Sequence, residues 1–335
     1  MRLSAMGDVA MTVPVLRVFV KQYPTVKLTV ISRPFFKPFF DGIPNLDFFA
    51  FDEKERHKGF AGLLRLFKDV KKLKIDAFAD LHNVLRSKVV GLLFALSGKK
   101  RATVDKGREG KKELTREENK IFKQLPTMFE RHVKVFEELG FPLNLSNSTF
   151  PEKAVLSSDI VQIIGNENQK LIGIAPFAQY DSKVYPLDLM KEVIAKLAEN
   201  SSYKILLFGG GKKEIEILDS ISEPFENVIN MAGKIKFQQE LQLISNLDVM
   251  LSMDSGNAHI AAMLGVKVIT LWGATHPYAG FLPFNQSLEN ALTSDRNQYP
   301  KLPTSVYGNK VVEGYEDAMR TILPQQVVDK VVEQL

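Results

Sequence analysis

The sequence predicts an α/β protein with parallel sheets and helices packed on their faces. Short apolar segments rich in β-branched residues alternate with amphipathic segments of helical period. Several apolar segments of the second half are near-continuous and stop at glycine or proline, which is typical of buried parallel strands. A length of 335 residues is more than one hydrophobic core usually organises, so we expect two domains.

The predicted elements follow one another as repeated strand–helix units. We predict strands over residues 26–31, 75–80, 171–175, 203–208, 249–253 and 266–271. We predict helices over residues 9–23, 187–198, 213–220, 237–245 and 258–264. The residues just before the first helix have the character of a strand end, so a very short first strand is expected there.

The alternation is interrupted between about residues 144 and 170, where serine, asparagine and proline accumulate. We therefore place a first domain at residues 1–155 and a second at residues 156–315, followed by a terminal helical segment at residues 316–335. The polar, highly charged stretch 98–118 is predicted to be a loop or an insertion.

Composition excludes several classes of protein. The chain has no cysteine, so disulfides and thiolate metal sites are impossible. Its apolar runs are far shorter than the roughly 20 residues that span a bilayer, and its first residues lack the apolar core of a signal peptide. We therefore expect a cytoplasmic location.

The formal charge is +5, and the basic residues concentrate in the first half of the chain. They form two clusters, one at Lys68, Lys71, Lys72 and Lys74, the other at Lys99, Lys100, Arg101, Lys106, Arg108, Lys111 and Lys112. Such clusters are consistent with a solvated surface, or with contact to an anionic membrane surface or an acidic acceptor. Because no nucleic-acid-binding motif accompanies them, we expect no nucleic-acid partner.

The segment Asp254-Ser-Gly-Asn-Ala-His259 stands between a predicted strand and a predicted helix. Asp254 and Ser255 are suitable helix caps, and a glycine allows close approach of a ligand to the backbone. The N–H groups and dipole of a helix start form an anion site, and ligands of open α/β sheets bind where strands end. The segment is equally consistent with a simple helix start and a core histidine at His259.

Three other positions could carry chemistry. The glycines Gly209 and Gly210 also lie between a strand and a helix, although they match no Rossmann or P-loop fingerprint. Asp8 precedes a helix and could serve as a general base or as a cap. Lys183, in a polar loop, could neutralise a diphosphate or simply be solvated.

The other histidines and the motif content of the chain argue against a metal site and against a serine hydrolase. His57, His82 and His132 lack the spacing of metal ligands and are predicted to be dispersed core or surface residues. We therefore expect neither a metal site nor a bound cofactor. The chain has no Gly-x-Ser-x-Gly motif, which excludes the usual serine hydrolase elbow.

Four segments, in this order and spacing, resemble those of glycosyltransferase family 9, the heptosyltransferases that build the inner core of lipopolysaccharide from ADP-heptose. They are Arg2-Leu-Ser-Ala-Met-Gly-Asp8, Phe208-Gly-Gly, Met253-Asp-Ser-Gly-Asn-Ala-His259 and Trp272-Gly-Ala-Thr-His-Pro277. The resemblance runs nearly end to end. It implies the GT-B fold, in which two Rossmann-like domains with parallel sheets face each other across a cleft. It further implies an acceptor-binding first domain, a nucleotide-sugar-binding second domain and a last helix packed back on the first domain.

The resemblance also implies roles for individual residues. Asp8 matches the proposed base, which deprotonates an acceptor hydroxyl so that the sugar is transferred with inversion. Lys183 matches a lysine that contacts the donor phosphates, and both residues are predicted to be catalytic. The predicted donor site comprises Asp254, Ser255, Gly256, Asn257, His259, Gly209, Gly210, Glu214 (or, with a shifted register, Glu216) and Ile235. The predicted acceptor residues are Ser4, Lys99, Lys100 and Arg101.

The expected partners are a nucleotide sugar, a lipid-linked saccharide and, peripherally, the inner face of the cytoplasmic membrane. ADP-heptose is the donor that we expect first, and another nucleotide sugar is the alternative. The alternative arises from departures from the family pattern, since His276 stands where the family often has aspartate and Ala178 and Gln179 replace paired threonines. Two alternatives remain: another GT-B enzyme, such as a sugar-nucleotide epimerase, and an inactive nucleotide-sugar-binding protein.

Overall fold

A computed structural model describes residues 1–165, 168–310 and 312–335. Its strands are β1 Leu28–Ser32, β2 Leu46–Ala50, β3 Ala77–Asp80, β4 Lys100–Thr103, β5 Lys170–Ala175, β6 Tyr203–Leu207, β7 Val228–Asn230, β8 Val249–Met253, β9 Lys267–Trp272 and β10 Ala291–Thr293. Its α-helices are α1 Met6–Ala10, α2 Thr12–Gln22, α3 Gly59–Lys71, α4 Leu85–Leu96, α5 Arg108–Thr115, α6 Met128–Glu138, α7 Ser158–Ile164, α8 Leu187–Ala198, α9 Lys212–Ser222, α10 Phe237–Ile244, α11 Gly256–Met263 and α12 Pro324–Glu333. Every predicted strand and helix is present to within a few residues.

The chain forms two compact units, whose limits differ from the predicted domains. The first unit comprises Met1–Arg108 and Pro126–Thr149, and the second comprises Glu109–Leu125 and Phe150–Leu335. The boundary near residue 150 agrees with the break in the sequence pattern. Residues 109–125 depart from the prediction, because they follow the first unit in sequence yet pack with the second.

Six parallel strands form the sheet of the second unit, in the order β7-β6-β5-β8-β9-β10. This is the doubly wound Rossmann order, in which the chain reverses its direction of travel between two neighbouring central strands, here β5 and β8. Every residue of β8 is buried, as expected of a central parallel strand covered on both faces. The reversal places the loops after β5 and β8 side by side.

The first unit contains two parallel pairs, β1 with β2 and β3 with β4. Residues 1–4 bridge the two pairs. The Arg2 N–H donates to the Ile31 carbonyl after one strand, and the Leu81 N–H donates to the Met1 carbonyl after the other. The structure assigns no strand to these residues, so an extended bridging segment takes the place of the very short first strand predicted from the sequence.

A cavity of about 530 Å³ borders the amino-terminal parts of β1 and β3. Its lining is largely apolar and includes Leu28, Val30 and Phe78. The lining also includes Arg2 and Leu81, so the cavity extends along both strands to the segment that bridges them.

The terminal helix α12 packs on α8 within the second unit, where Val327 and Val331 join the core. The last helix is therefore part of the second compact unit. The preceding segment is tied to the same unit, since the Tyr185 hydroxyl donates to the Ile322 carbonyl at 2.7 Å. The apolar stripe of the last helix is thus used to cover the second sheet.

Residues 109–125 are held on the second unit by polar contacts. The Leu125 N–H donates to the Tyr278 carbonyl, and the Lys120 ammonium donates to the Pro303 carbonyl at 2.7 Å. Burial lowers the pKa of Lys120 to about 8. The stretch predicted as a loop or insertion thus contains a helix, α5, and a strap along the second unit. Among the described helices, none has the length and apolarity needed to cross a membrane.

Candidate functional site

Loops of the second unit that follow β5, β6, β7, β8 and β9 emerge at one edge, since parallel strands place their carboxyl ends together. The predicted donor residues all lie in these loops or at the starts of the helices that follow them. The fold therefore brings together segments spread over about a hundred residues of sequence.

Asp254, just after β8, is the centre of a buried polar triad. Its Oδ2 atom lies 3.0 Å from the Lys183 Nζ atom and accepts a hydrogen bond of 2.8 Å from the Thr275 hydroxyl. All three side chains are buried or nearly so. Sequence reasoning identified Asp254 and Lys183 separately but gave no role to Thr275, although its segment was noted.

Helix α11 begins at this point with backbone donors that no side chain caps. Ser255 is the N-cap residue, but its side chain makes no capping bond; its hydroxyl instead lies 3.0 Å from that of Ser252. Asp254 is likewise engaged elsewhere, so the predicted capping by these two residues is wrong. The N–H groups at Gly256 and Asn257 and the positive end of the helix dipole are therefore suited to bind an anion.

A second loop, absent from the sequence prediction, sets the position of Lys183. The Ser182 hydroxyl donates to the Gly308 carbonyl at 2.6 Å, and the Ser182 carbonyl accepts from the Ala274 N–H. Gly308 has φ of +84°, and a Cβ atom there would lie 2.6 Å from Cγ of Lys183. The loop around Gly308 thus forms a wall against the lysine stem, and only glycine fits.

The glycine loop after β6 is closed by Glu214. Its Oε2 atom accepts a hydrogen bond of 2.8 Å from the Gly210 N–H. Glu216, the alternative register, is exposed and lies 3.9 Å from the Lys212 ammonium. Of the two registers, Glu214 is therefore the carboxylate that bonds to the glycine loop. Ile235 follows β7 at the same edge and is half-buried.

The two histidines of this region are buried. His259 lies on α11 with 7% exposure. His276 accepts a hydrogen bond at Nδ1 from the Tyr278 N–H, and its ring packs against Phe122. Burial, helped by the charge of Arg296, lowers the pKa of His276 to about 4, so the ring is neutral at pH 7. His276 is accordingly a structural residue of the turn after β9.

In the first unit, Asp8 lies in the first turn of α1 and is 29% exposed. Its Oδ2 atom lies 2.6 Å from an Arg2 nitrogen and accepts from the Ala5 N–H. Arg2 is buried and also donates to the carbonyls of Ser4 and Leu81, at 2.9 and 2.7 Å. Arg2 therefore fixes the orientation of the carboxylate, a role that sequence reasoning missed.

The Arg2 charge acts electrostatically on other titratable groups of the first unit. Burial and the Arg2 and Lys106 charges lower the pKa of His82 to about 4, and burial and the Arg2 charge lower that of His132 to about 3. Burial and the Arg2 charge also lower the pKa of Lys106. The two histidines were predicted to be dispersed residues, but the fold groups them around Arg2.

The predicted acceptor residues are divided. Ser4 adjoins Arg2, whereas Lys99, Lys100 and Arg101 stand at the amino end of β4. Asp80 and Lys106 are at the carboxyl ends of β3 and β4. The structure therefore does not bring the three basic residues to Asp8; Arg2 contacts its carboxylate, and Lys106 lies near enough for the two charges to interact.

The described residues, 1–165, 168–310 and 312–335, form no cluster of side chains that could hold a metal ion. No group of three histidine, aspartate or glutamate side chains with suitable geometry occurs there. The polar groups at the second-unit edge include Lys183, Asp254, Glu214 and the backbone N–H groups of α11.

Comparison with known proteins was made for sequence and for structure. The sequence profile of glycosyltransferase family 9 (heptosyltransferase) matches residues 63–310. The lipopolysaccharide core heptosyltransferase OpsX of Haemophilus influenzae is 27% identical over 303 residues, which cover 88% of this chain and 83% of that protein.

Solved structures show the same fold. A glycosyltransferase family 9 protein of Veillonella parvula is 19% identical and superposes with a TM-score of 0.75, covering 99% of this chain and 95% of that one. An Escherichia coli heptosyltransferase with ADP is 18% identical with a TM-score of 0.68, covering 100% of this chain and 98% of that one. The predicted α/β, GT-B fold is thereby confirmed.

Proposed function

Because this chain belongs to glycosyltransferase family 9, the heptosyltransferases, we propose that it transfers heptose from ADP-heptose to a saccharide of the lipopolysaccharide core. Membership in the family makes it a glycosyltransferase. The donor and acceptor are those suggested by the relatives, one of which is a lipopolysaccharide core heptosyltransferase. Three of the four motif segments, those at residues 208–210, 253–259 and 272–277, lie within the residues that the family profile matches.

The observation that carries the proposal is the pairing of Lys183 with Asp254 beside the uncapped start of α11. Departure of a nucleoside diphosphate requires positive charge and N–H donors around the leaving oxygens. We propose that Lys183 and the N–H groups at Gly256 and Asn257 supply them, without the help of a metal ion. Asp254 and Thr275 hold the ammonium group until the donor arrives.

The nucleoside end of the donor is proposed to lie along the neighbouring loops. The Glu214 carboxylate can accept hydrogen bonds from ribose hydroxyls, because its other bond is to the Gly210 N–H of the same loop. Ile235 offers an apolar surface to the adenine ring. These assignments extend the site from β8 across β6 to β7.

Asp8 is proposed as the general base. In this reaction the carboxylate removes the proton of an acceptor hydroxyl, whose oxygen attacks the anomeric carbon as the diphosphate leaves, so the configuration inverts. The Arg2–Asp8 pair supports this role, since a buried, threefold-bonded guanidinium holds one carboxylate oxygen in a fixed direction. A base must be oriented before its basicity can be used.

We further propose that the enzyme works at the cytoplasmic face of the membrane as a peripheral protein. The support is the basic character of the first half of the chain, together with a lipid-linked acceptor. Weak adsorption suffices, because it confines enzyme and acceptor to the same surface.

Donor binding is tested by titrating ADP-heptose and other nucleotide sugars by calorimetry against the wild-type protein and Lys183→Ala. We expect ADP-heptose to bind and the variant to lose about 100-fold in affinity, since a phosphate contact to a charged group contributes roughly 3 kcal/mol. The matched control is Lys212→Ala, an exposed lysine of α9. Absence of binding by every nucleotide sugar contradicts the proposal.

Turnover is tested with Asp8→Asn, which is expected to bind donor normally and to lose at least about 100-fold in transfer rate. Near-normal turnover would remove Asp8 from the mechanism. Following the donor alone by NMR separates the alternatives: epimerised sugar indicates an epimerase, and tight binding without transfer to any acceptor indicates an inactive binding protein.

A further inference from the structure

Helix α4 is apolar on two opposite faces. One face, with Val90 and Phe94, is buried in the core of the first unit. On the other face Leu85, Leu92 and Leu96 are 77%, 51% and 77% exposed. At 3.6 residues per turn these three leucines fall within an arc of about 40°. Single exposed leucines are ordinary, but a continuous outward stripe of three requires an explanation.

Helix α3, the neighbour of α4, also has exposed apolar side chains. It packs against α4 through the rings of Phe67 and Phe94, whose centroids are 4.8 Å apart. Phe60 and Leu64 share the helical face of Phe67, at spacings of seven and three residues, and both are exposed. We call this surface the outer face of α3 and α4; its apolar residues are Phe60, Leu64, Leu85, Leu92 and Leu96.

The outer face is surrounded by positive charge. Between residues 59 and 101 the chain has ten lysines and arginines but three carboxylates, which gives a formal charge of +7. Because the whole chain carries +5, all other residues together carry −2. Lys68, Lys88, Lys100 and Arg101 are exposed. Among the described residues, none of these four has a carboxylate within ion-pairing distance. Lys88 lies three residues after one outward leucine and four before the next.

We propose that the outer face of α3 and α4 is the surface by which this protein binds an anionic lipid bilayer. Leu85, Leu92 and Leu96 enter the headgroup region, while the lysine side chains extend alongside them to lipid phosphates. A second copy of the chain is the other candidate for an apolar stripe. Self-association would bring two regions of charge +7 together, which is unfavourable. An anionic bilayer, in contrast, offers an apolar region to the leucines and negative charge to the lysines.

This inference rests on the proposed peripheral action on a lipid-linked acceptor and assigns it a surface. The attraction of basic residues to an anionic leaflet is weak by itself, and so is the insertion of a few leucines. Stable adsorption needs both together. The structure supplies both on one pair of helices. Adsorption raises the local concentration of enzyme around an acceptor confined to the same plane.

Binding is measured by cosedimentation with vesicles of phosphatidylcholine alone and of equal parts phosphatidylcholine and phosphatidylglycerol. We expect the wild-type protein to bind only the anionic vesicles, with binding that weakens as salt increases. The double variant Leu92→Ser, Leu96→Ser should lower binding at least about tenfold, because burial of each leucine is lost. Lys68→Glu with Lys88→Glu should lower it similarly.

The matched control is Val155→Ser with Lys212→Glu, which removes an exposed apolar and an exposed basic side chain from the second unit. It should bind vesicles as the wild type does. Transfer to a water-soluble, deacylated acceptor should be the same for the leucine variant and the wild type. This second readout separates the two proposals, since a failure of the proposed function abolishes soluble transfer whatever happens on vesicles.

Two results would overturn the inference. One is unchanged vesicle binding by the leucine variant. The other is a concentration-dependent dimer in light scattering that the leucine variant abolishes, which would make a second copy of the chain the occupant of the outer face.

Discussion

The loop around Gly308 offers a sharp test of how Lys183 is positioned. Gly308→Ala places a methyl group where the structure has 2.6 Å to Cγ of Lys183, well below ordinary contact, and closer still to its Cδ atom. The lysine stem must move, and with it the ammonium group that lies 3.0 Å from Asp254. Gly314→Ala is the matched control, because Gly314 has nearly the same φ, +78°, and nothing within 4 Å of an added Cβ.

Both variants lose folding free energy through backbone strain, and only Gly308→Ala loses more through overpacking. Each puts alanine in the left-handed region, which costs about 1 kcal/mol of folding free energy. Gly308→Ala adds overpacking of about 1 to 3 kcal/mol. If Lys183 loses its contact to the donor phosphates, about 3 kcal/mol of transition-state stabilisation disappears, which is a factor of about 100 in kcat/KM for the donor.

The assay is steady-state transfer with varied ADP-heptose, together with thermal unfolding of both variants. We expect Gly314→Ala to keep wild-type kcat/KM with a slightly lower Tm. Gly308→Ala should lose about 100-fold in kcat/KM at a temperature where both proteins are folded. Equal kcat/KM for the two variants would show that the wall formed by Gly308 does not position the lysine.

Two further predictions concern buried polar groups. Thr275→Val removes the hydroxyl that holds Asp254 and should lower kcat/KM by about 10- to 100-fold, as expected for a hydrogen bond to a charged group; Thr275→Ser should restore most of it, and equal loss in both variants would assign Thr275 a packing role only. His132 has a folded pKa of about 3 against an ordinary value of 6.5, so the folded state excludes a proton that the unfolded state binds. Stability should therefore fall by up to about 1.4 kcal/mol per pH unit as pH drops below 6.5. His132→Leu should reduce the slope by this amount and leave the contribution of His82 and His276, whose pKa values are also lowered, to about 4. Urea titrations at pH 7, 6 and 5 that run parallel in both proteins would contradict the assignment.

The order of strands and helices could be predicted because it depends on local patterns. Near-continuous apolar runs ending at glycine or proline identify buried parallel strands without knowledge of their neighbours. The position of Asp254 at the junction of β8 and α11 follows from the same reasoning. Asp8 is found in the same way, as a carboxylate in the first turn of a helix.

The partners of these residues could not be predicted, because they are remote in sequence. Thr275 is 21 residues from Asp254, and Gly308 is 126 residues from Ser182. Their contacts depend on which strands are neighbours, and strand order is invisible to a local pattern. Even the predicted caps were wrong, since tertiary partners engaged both side chains.

The allocation of segments to units was also decided only by packing. Residues 109–125 look like a continuation of the first half, and residues 324–333 form an amphipathic helix that any apolar surface could accept. By itself, the sequence determined the α/β class, the family and the strand-end positions of Asp8, Lys183 and Asp254, since period, composition and local motif suffice for these. Only the tertiary structure decided that Thr275 and Gly308 hold the lysine and that α12 covers the second sheet. The reason is that such contacts are chosen by the shape of the assembled core, which no single segment contains.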